Sequence, residues 1–224
     1  MPIYQTIIEY VAKFIAILLV ISFHEFAHAF AAVKCGDETP RLSGRLTLNP
    51  IAHINWVGLL MMFVAGFGWA NPVPINPYNF KNVKKGYFWT SIAGVITNYI
   101  FAFFALPFYY LCINYLPSGS FISILLSTIF YDIFVLNLCF FVFNLIPVYP
   151  LDGFRVLEVL VKTRGKVMTF LRSKGQIVLL CLLVLSLISD YVPALWFLDI
   201  LGHFMNFSVN ILGKPITLFW NLIF

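Results

Sequence analysis

The chain has 224 residues, of which 61% are hydrophobic and only 10% are Asp, Glu, Lys or Arg. Soluble domains carry about 25% charged residues, so this chain cannot coat a soluble globule in polar groups; its mean hydropathy of +0.92 agrees. A formal charge of +5 in such a composition excludes a soluble enzyme, a disordered chain and a nucleic-acid-binding domain, and points to an all-α polytopic membrane protein whose apolar surface faces lipid.

The apolar runs predict about four to six membrane segments. The first runs from about Ile7 to Val33, broken by Lys13 and by His24, Glu25 and His28. Residues 1–12 hold no Lys or Arg, and Glu9 is acidic, so the start does not read as a cleavable signal. A polar loop, Lys34–Asn55, follows. Trp56–Ala70 is apolar but too short for an ordinary span, which suits a short re-entrant or β-hairpin element. Asn71–Lys85 is rich in Pro and Asn and reads as extended loop. Phe88–Leu116 and Phe121–Ile146 are full spans joined by a turn at Pro117-Ser118-Gly119. Phe154–Lys174 is amphipathic and basic. Ile177–Ile188, extendable to Tyr191, is a short span. Pro193–Phe224 is aromatic-rich and interrupted by Gly213 and Pro215. The whole reads as a single domain over 1–224, with a core over 7–160 and C-terminal membrane segments over 174–224. Cys35, Cys112, Cys139 and Cys181 lie far apart with no CxxC, so neither a disulfide framework nor a cysteine zinc site is expected.

Basic residues orient the chain. Lys34, Arg41 and Arg45 lie in the first loop, and Lys81, Lys84 and Lys85 in the second. Arg155, Lys162, Arg164, Lys166, Arg172 and Lys174 follow the third span, which accounts for twelve of the fourteen Lys and Arg. The turns near Ser118 and Asp190 contain none. The positive-inside rule puts all three basic loops in the cytoplasm. That requires residues 56–70 to enter and return on one side.

His24-Glu25-Phe26-Ala27-His28 is an HExxH motif. Residues four apart share a helix face, so both imidazoles can meet one ion. Glu25 is rotated by about 100° from His24 and suits a general base acting on a water instead. Two imidazoles and a carboxylate inside an apolar span are costly, and ionisable groups there are functional by default. A catalytic zinc takes three protein ligands and leaves one position open. From Ile7, the two histidines lie about 26–32 Å along the helix, at its cytoplasmic end. Asp152 follows the third span on that same side, whereas Asp132 is near mid-span and Asp190 lies opposite. Asp152 is therefore the third ligand expected on geometry, against the alternative of an Asp-Gly turn or helix cap.

These residues together resemble the site-2 protease family of intramembrane zinc metalloproteases. The resemblance rests on His24–His28 paired with Asn144-Leu145-Ile146-Pro147-Val148-Tyr149-Pro150-Leu151-Asp152-Gly153. Gly44–Pro50 and Gly68–Asn76 look like the compact prokaryotic branch without a PDZ domain. It covers roughly residues 15–160; the C-terminal third carries no motif. It implies one Zn²⁺ per chain on His24, His28 and Asp152, with Glu25 as base. The reaction implied is hydrolysis of a peptide bond within or near a transmembrane segment of a membrane-protein substrate. It also implies strands for β-addition in the region after the first span, for which residues 56–76 are the candidate.

Asn144, and Asn98 through a Gly94-x-x-x-Asn98 element, would on this resemblance orient substrate or an oxyanion. Helix packing at Gly94 with an interhelical bond from Asn98 is the other reading. At His53 the family pattern is His-x-Asp, but this chain has Asn55, which carries no charge to orient the imidazole. A loop-bonded interfacial histidine and a gating or supporting role toward the metal both remain. Asp199 and His203 share a helix face, where a hydrogen-bonded pair is favoured over a second metal site. The expected partners are a substrate's transmembrane segment and the lipid bilayer, with no nucleic acid. The expected location is the plasma membrane of a prokaryote, with the site toward the cytoplasm. A catalytically inactive scaffold or a metal transporter of the same fold is the competing reading; the intact Glu25 argues against the first, and polar groups clustered at one depth against the second.

Overall fold

The computed structural model describes residues 3–161 and 165–224. Lys162 and Arg164 of the third basic loop lie outside the described residues. Among the described residues the chain is helical, and four helices are long and apolar enough to cross a membrane.

The first is α1 (Ile3–Lys34), about 48 Å at 1.5 Å per residue. The polar loop after it contains two short helices, α2 (Thr39–Leu42) and α3 (Pro50–His53). The apolar segment forms α4 (Trp56–Ala65), whose start is capped by the Asn55 side chain accepting from Gly58 N–H at 3.0 Å. At ten residues, α4 covers about half of a bilayer core. A single antiparallel bridge, Ile54 to Ala70, ties its entry to its exit, so the excursion returns where it began. Residues 56–76, the stretch expected to supply strands, thus hold a helix in their first half and extended chain in their second. The run of ten apolar residues satisfies its own backbone as helix, whereas an unpaired strand at that depth would leave N–H groups bare.

Next come α5 (Val83–Tyr115) and α6 (Phe121–Leu145), then the short α7 (Asp152–Leu160). Helices α1, α5 and α6 pack on one another around Ala12, Ala16, Ala102, Ala105, Ile133 and Leu138. The alanines let the backbones approach closely, which is how helices associate without a hydrophobic drive between them. Outward residues such as Ile7, Phe104 and Phe121 are exposed because lipid is their solvent. A second cluster, Ile17, Ile21, Ile54, Leu59 and Met62, seats α4 on α1.

Two C-terminal boundaries differ from the sequence reading. The fourth span, α8, runs Lys166–Tyr191, so it takes in the basic stretch expected to precede it. Lys and Arg are good helix formers, and a helix of about 39 Å extends past a 30 Å core into water. After a 3₁₀ turn at Pro193–Leu198, α9 runs Ile200–Asn221, capped by Asp199 accepting from Gly202 N–H at 2.8 Å. It continues through Gly213 and Pro215. Its face at Ile216 joins the α5–α6 core, and such packing offsets the hydrogen bond lost at proline.

Candidate metal centre

The last third of α1 presents His24 and His28 one turn apart, with their Nε2 atoms 3.0 Å from each other. Asp152, the first residue of α7, brings Oδ2 to 3.4 Å from His24 Nε2 and 3.0 Å from His28 Nε2. All three are buried, and their ligand atoms form a compact group.

Hydrogen bonds behind the ring assign both tautomers. A backbone carbonyl only accepts, so His28 Nδ1–H must donate to Thr90 O, at 2.6 Å. His24 is set by a longer chain. Asn137 Nδ2 donates to the Ile133 carbonyl at 2.8 Å, which turns its Oδ1 toward Asn98 Nδ2 at 3.0 Å. Asn98 Oδ1 must then accept from His24 Nδ1–H, at 2.6 Å. With the rings neutral, each Nε2 then carries a lone pair, within 3.4 Å of Asp152 Oδ2, a buried oxygen with no hydrogen-bond donor among the described residues. Three acceptors converging this closely repel one another unless a cation lies between them.

The spacing fits a divalent ion. Ligand bonds of roughly 2.0–2.1 Å in a tetrahedron separate the donor atoms by about 3.3 Å, close to the 3.0 and 3.4 Å edges found. Two neutral imidazoles and one carboxylate also match the donor set of hydrolytic zinc sites. Gly94 on α5 makes room for the group: a Cβ there would stand 2.4 Å from His28 Nε2 and 2.7 Å from His24 Cε1. The small residue of the Gly94-x-x-x-Asn98 element is thus needed by the imidazoles themselves, one turn before the amide that orients one of them.

Glu25 is not in the ligand group. Its Oε2 accepts from Val73 N–H at 3.2 Å, and it lines a cavity of about 390 Å³ with His24, Phe67–Ala70, Phe140 and Asn144. Leu183 and Ser186 of α8 and Leu201, Gly202 and Met205 of α9 line it as well, which gives the motif-free C-terminal third a place at the site. Asn144 donates Nδ2–H to Phe140 O at 3.1 Å and lines the cavity. Asn98 is spent on His24 and Asn137 rather than on the cavity. His53 is fully buried, donates Nε2–H to Thr47 O at 2.8 Å, and is not in the ligand group. His203 bonds the Asp199 backbone carbonyl at 2.5 Å, while the Asp199 carboxylate caps α9.

Three contributors lie outside the motifs. Asn137 completes the relay behind His24; an Asn inside an apolar run was the signal that could have found it. Arg155 lies 3.8 Å from Asp152 Oδ1, one helical turn on, and balances part of its charge. Asp37 accepts from Thr39 N–H, Thr39 Oγ, Asn76 N–H and Asn79 Nδ2 at 3.1, 2.5, 2.7 and 2.9 Å.

Both Asn137 and Asp37 lead to measurable expectations. Asn137→Leu keeps the volume but frees the Asn98 amide to turn. Divalent-ion affinity should then fall by roughly 10- to 100-fold, as for other groups that orient a ligand, read by chelator competition. For Asp37, burial pushes the carboxyl up, and the bonds from Thr39, Asn76 and Asn79 outweigh that and hold it below the usual range. A lowered folded-state value means stability present at neutral pH and lost as pH falls below the ordinary Asp value of about 3.9. Protection factors over 73–79 should drop on acidification below about pH 4 in the wild type, and be low and pH-independent in Asp37→Asn, measured by hydrogen exchange.

Apolar spans built around an HExxH helix and a carboxylate from a neighbouring helix define a polytopic membrane metallohydrolase. The sequence model of peptidase family M50 matches residues 112–188, a stretch that includes Asn137, Asn144 and Asp152. A Bacillus subtilis protein named "Putative zinc metalloprotease YwhC" is 43% identical over 190 residues, 82% of this chain and 84% of its own. Proteins named "Putative zinc metalloprotease Rip2" from Mycobacterium tuberculosis and Mycolicibacterium smegmatis are 28% and 26% identical; they align with 92% and 96% of this chain and 80% and 84% of their own. No solved structure matches the chain significantly. The chain belongs to peptidase family M50, the site-2 proteases.

Proposed function

We propose that this chain is an intramembrane zinc endopeptidase that cuts peptide bonds within or near transmembrane segments of membrane-protein substrates. The observation that carries the reading is the convergence of the His24, His28 and Asp152 acceptor atoms beside a cavity that Glu25 also lines. Relatives named as zinc metalloproteases support zinc as the ion. When bound, zinc supplies Lewis-acid polarisation of the scissile carbonyl and acidifies a water.

The chain's own groups do the rest. Glu25 takes the proton from the attacking water and returns it to the leaving amine; Val73 N–H steadies its carboxylate. Asn144, which lines the same cavity, donates its remaining N–H to the oxygen that gains charge. A helical substrate hides its carbonyls in hydrogen bonds, so it must unwind before cleavage. The cavity-lining stretch Phe67–Ala70 suits pairing with the unwound strand. Beyond it the edge is poor in donors: Asn71 and Val73 N–H are taken by His53 O and Glu25, and Pro72 and Pro74 have none.

The centre lies at the end of α1 that carries Lys34, and the positive-inside rule assigns that end to the cytoplasmic face of a prokaryotic plasma membrane. Membranes with and without the intact enzyme, compared by mass spectrometry, test the activity. The expected result is a cleaved transmembrane peptide that disappears with a zinc chelator and returns with added zinc. Cleavage indifferent to the chelator would refute the reading.

A further inference from the structure

Glu25 and the chain beside it belong to a closed ring of contacts, and one member of that ring lies in no catalytic motif. Helix α1 ends in a Schellman motif. Asp37 N–H bonds Ala32 O at 3.0 Å and Gly36 N–H bonds Val33 O at 3.0 Å, with Gly36 at φ +110°. This makes Asp37 a rigid extension of the helix that carries Glu25. Cys35 O also takes Lys81 N–H at 3.0 Å, which ties the end of α1 to the chain five residues beyond Asn76. From there the fully buried Asp37 carboxylate holds Asn76 N–H at 2.7 Å. Three residues back along the chain, Val73 N–H meets Glu25 Oε2 at 3.2 Å. The ring runs from α1 through Asp37 to the 73–76 segment and returns to α1 at the base.

We infer that Asp37 is a positioning residue for the hydrolysis: it sets how closely residues 73–76 approach α1 and, through Val73 N–H, how the Glu25 carboxylate is held. The inference rests on the reading of Glu25 as the base. Asp37 touches neither the ligands nor the cavity. The other end of the segment has its own anchors: Asn71 N–H on His53 O at 2.8 Å, Asn71 Nδ2 on Ile54 O at 2.7 Å, and Arg45 Nη1 on Asn71 O at 3.1 Å. Loss of Asp37 therefore loosens residues 73–76, although Cys35 O still holds Lys81 N–H, and leaves the Phe67–Ala70 wall in place. Catalysis changes while substrate binding does not.

Asp37→Asn is the informative variant. It keeps the shape, but one carboxylate oxygen becomes an NH₂ that must face a donor. Three readouts are taken on the full chain in proteoliposomes: zinc content, hydrogen exchange, and cleavage of a transmembrane peptide. Zinc content should match the wild type. Exchange at Val73 and Asn76 should rise roughly tenfold or more, and not within α1. The rate constant kcat should fall roughly 10- to 100-fold with KM unchanged, the pattern of an interaction made only in the transition state. Asn79→Ala, which removes one exposed donor from the same carboxylate, should give a smaller change in the same direction and covers the case in which Asp37→Asn does not fold. Unchanged exchange at 73–76, or unchanged kcat despite faster exchange, overturns the inference. A rise in KM with constant kcat does so too. A wild type that retains zinc but cleaves nothing refutes the protease reading instead, and the exchange data still decide whether Asp37 anchors the segment.

Discussion

Glu25→Gln is expected to leave zinc bound and to lower cleavage by roughly 10²- to 10⁴-fold, the usual contribution of a positioned general base. Glu25 is not among the three atoms that converge on the ion site, so the amide should not disturb affinity. Gln can still accept from Val73 N–H, because its carbonyl oxygen can take the place of Oε2. What it cannot do is hold a proton drawn from water. Metal analysis of the purified variant and single-turnover cleavage of a transmembrane peptide separate the two effects. Full cleavage by this variant would remove Glu25 from the mechanism; lost zinc would make it a ligand.

Asp152→Ala should have the larger effect on the metal. It removes the one anionic ligand and leaves two imidazoles, so zinc affinity should fall by more than the roughly 10- to 100-fold expected when only a supporting bond is lost. Activity should fall with it at limiting zinc. The fold should tolerate the change: Asp152 is a first-turn residue of α7, where a carboxylate is worth about 0.3–1 kcal/mol through the helix dipole. Its removal also relieves the close set of acceptors. Zinc content unchanged under chelator competition would strike Asp152 from the ligand set. Circular dichroism of the same samples checks that the helices persist.

The two largest effects fall on residues that were legible in the chain, and the reason is physical. A spacing of four puts His24 and His28 on one helix face wherever the helix goes. A carboxylate just past the end of a span is confined to one depth, which is how Asp152 could be paired with them across more than a hundred residues. The spans themselves followed from apolar run length. By contrast, α8 begins inside the basic stretch because solvated Lys and Arg can extend a helix that the bilayer does not require. Helix α9 passes Pro215 because its neighbours hold it.

What the sequence determined by itself was therefore the solvent, the spans and the chemistry of the ligands, all carried by local spacing and by the cost of charge in lipid. Only the tertiary structure decided what stands behind those ligands. The His24 tautomer depends on two amides from α5 and α6, and Gly94 is required because two imidazoles pack against α5. Asp37 matters because a Schellman turn points it at a loop some forty residues on. These are hydrogen bonds and close approaches between distant segments, and no periodicity along the chain records them. The same holds for the partners of Asn98: its residue type allowed a role toward substrate or an interhelical bond, and the structure sets it against His24 Nδ1 on α1 and Asn137 on α6.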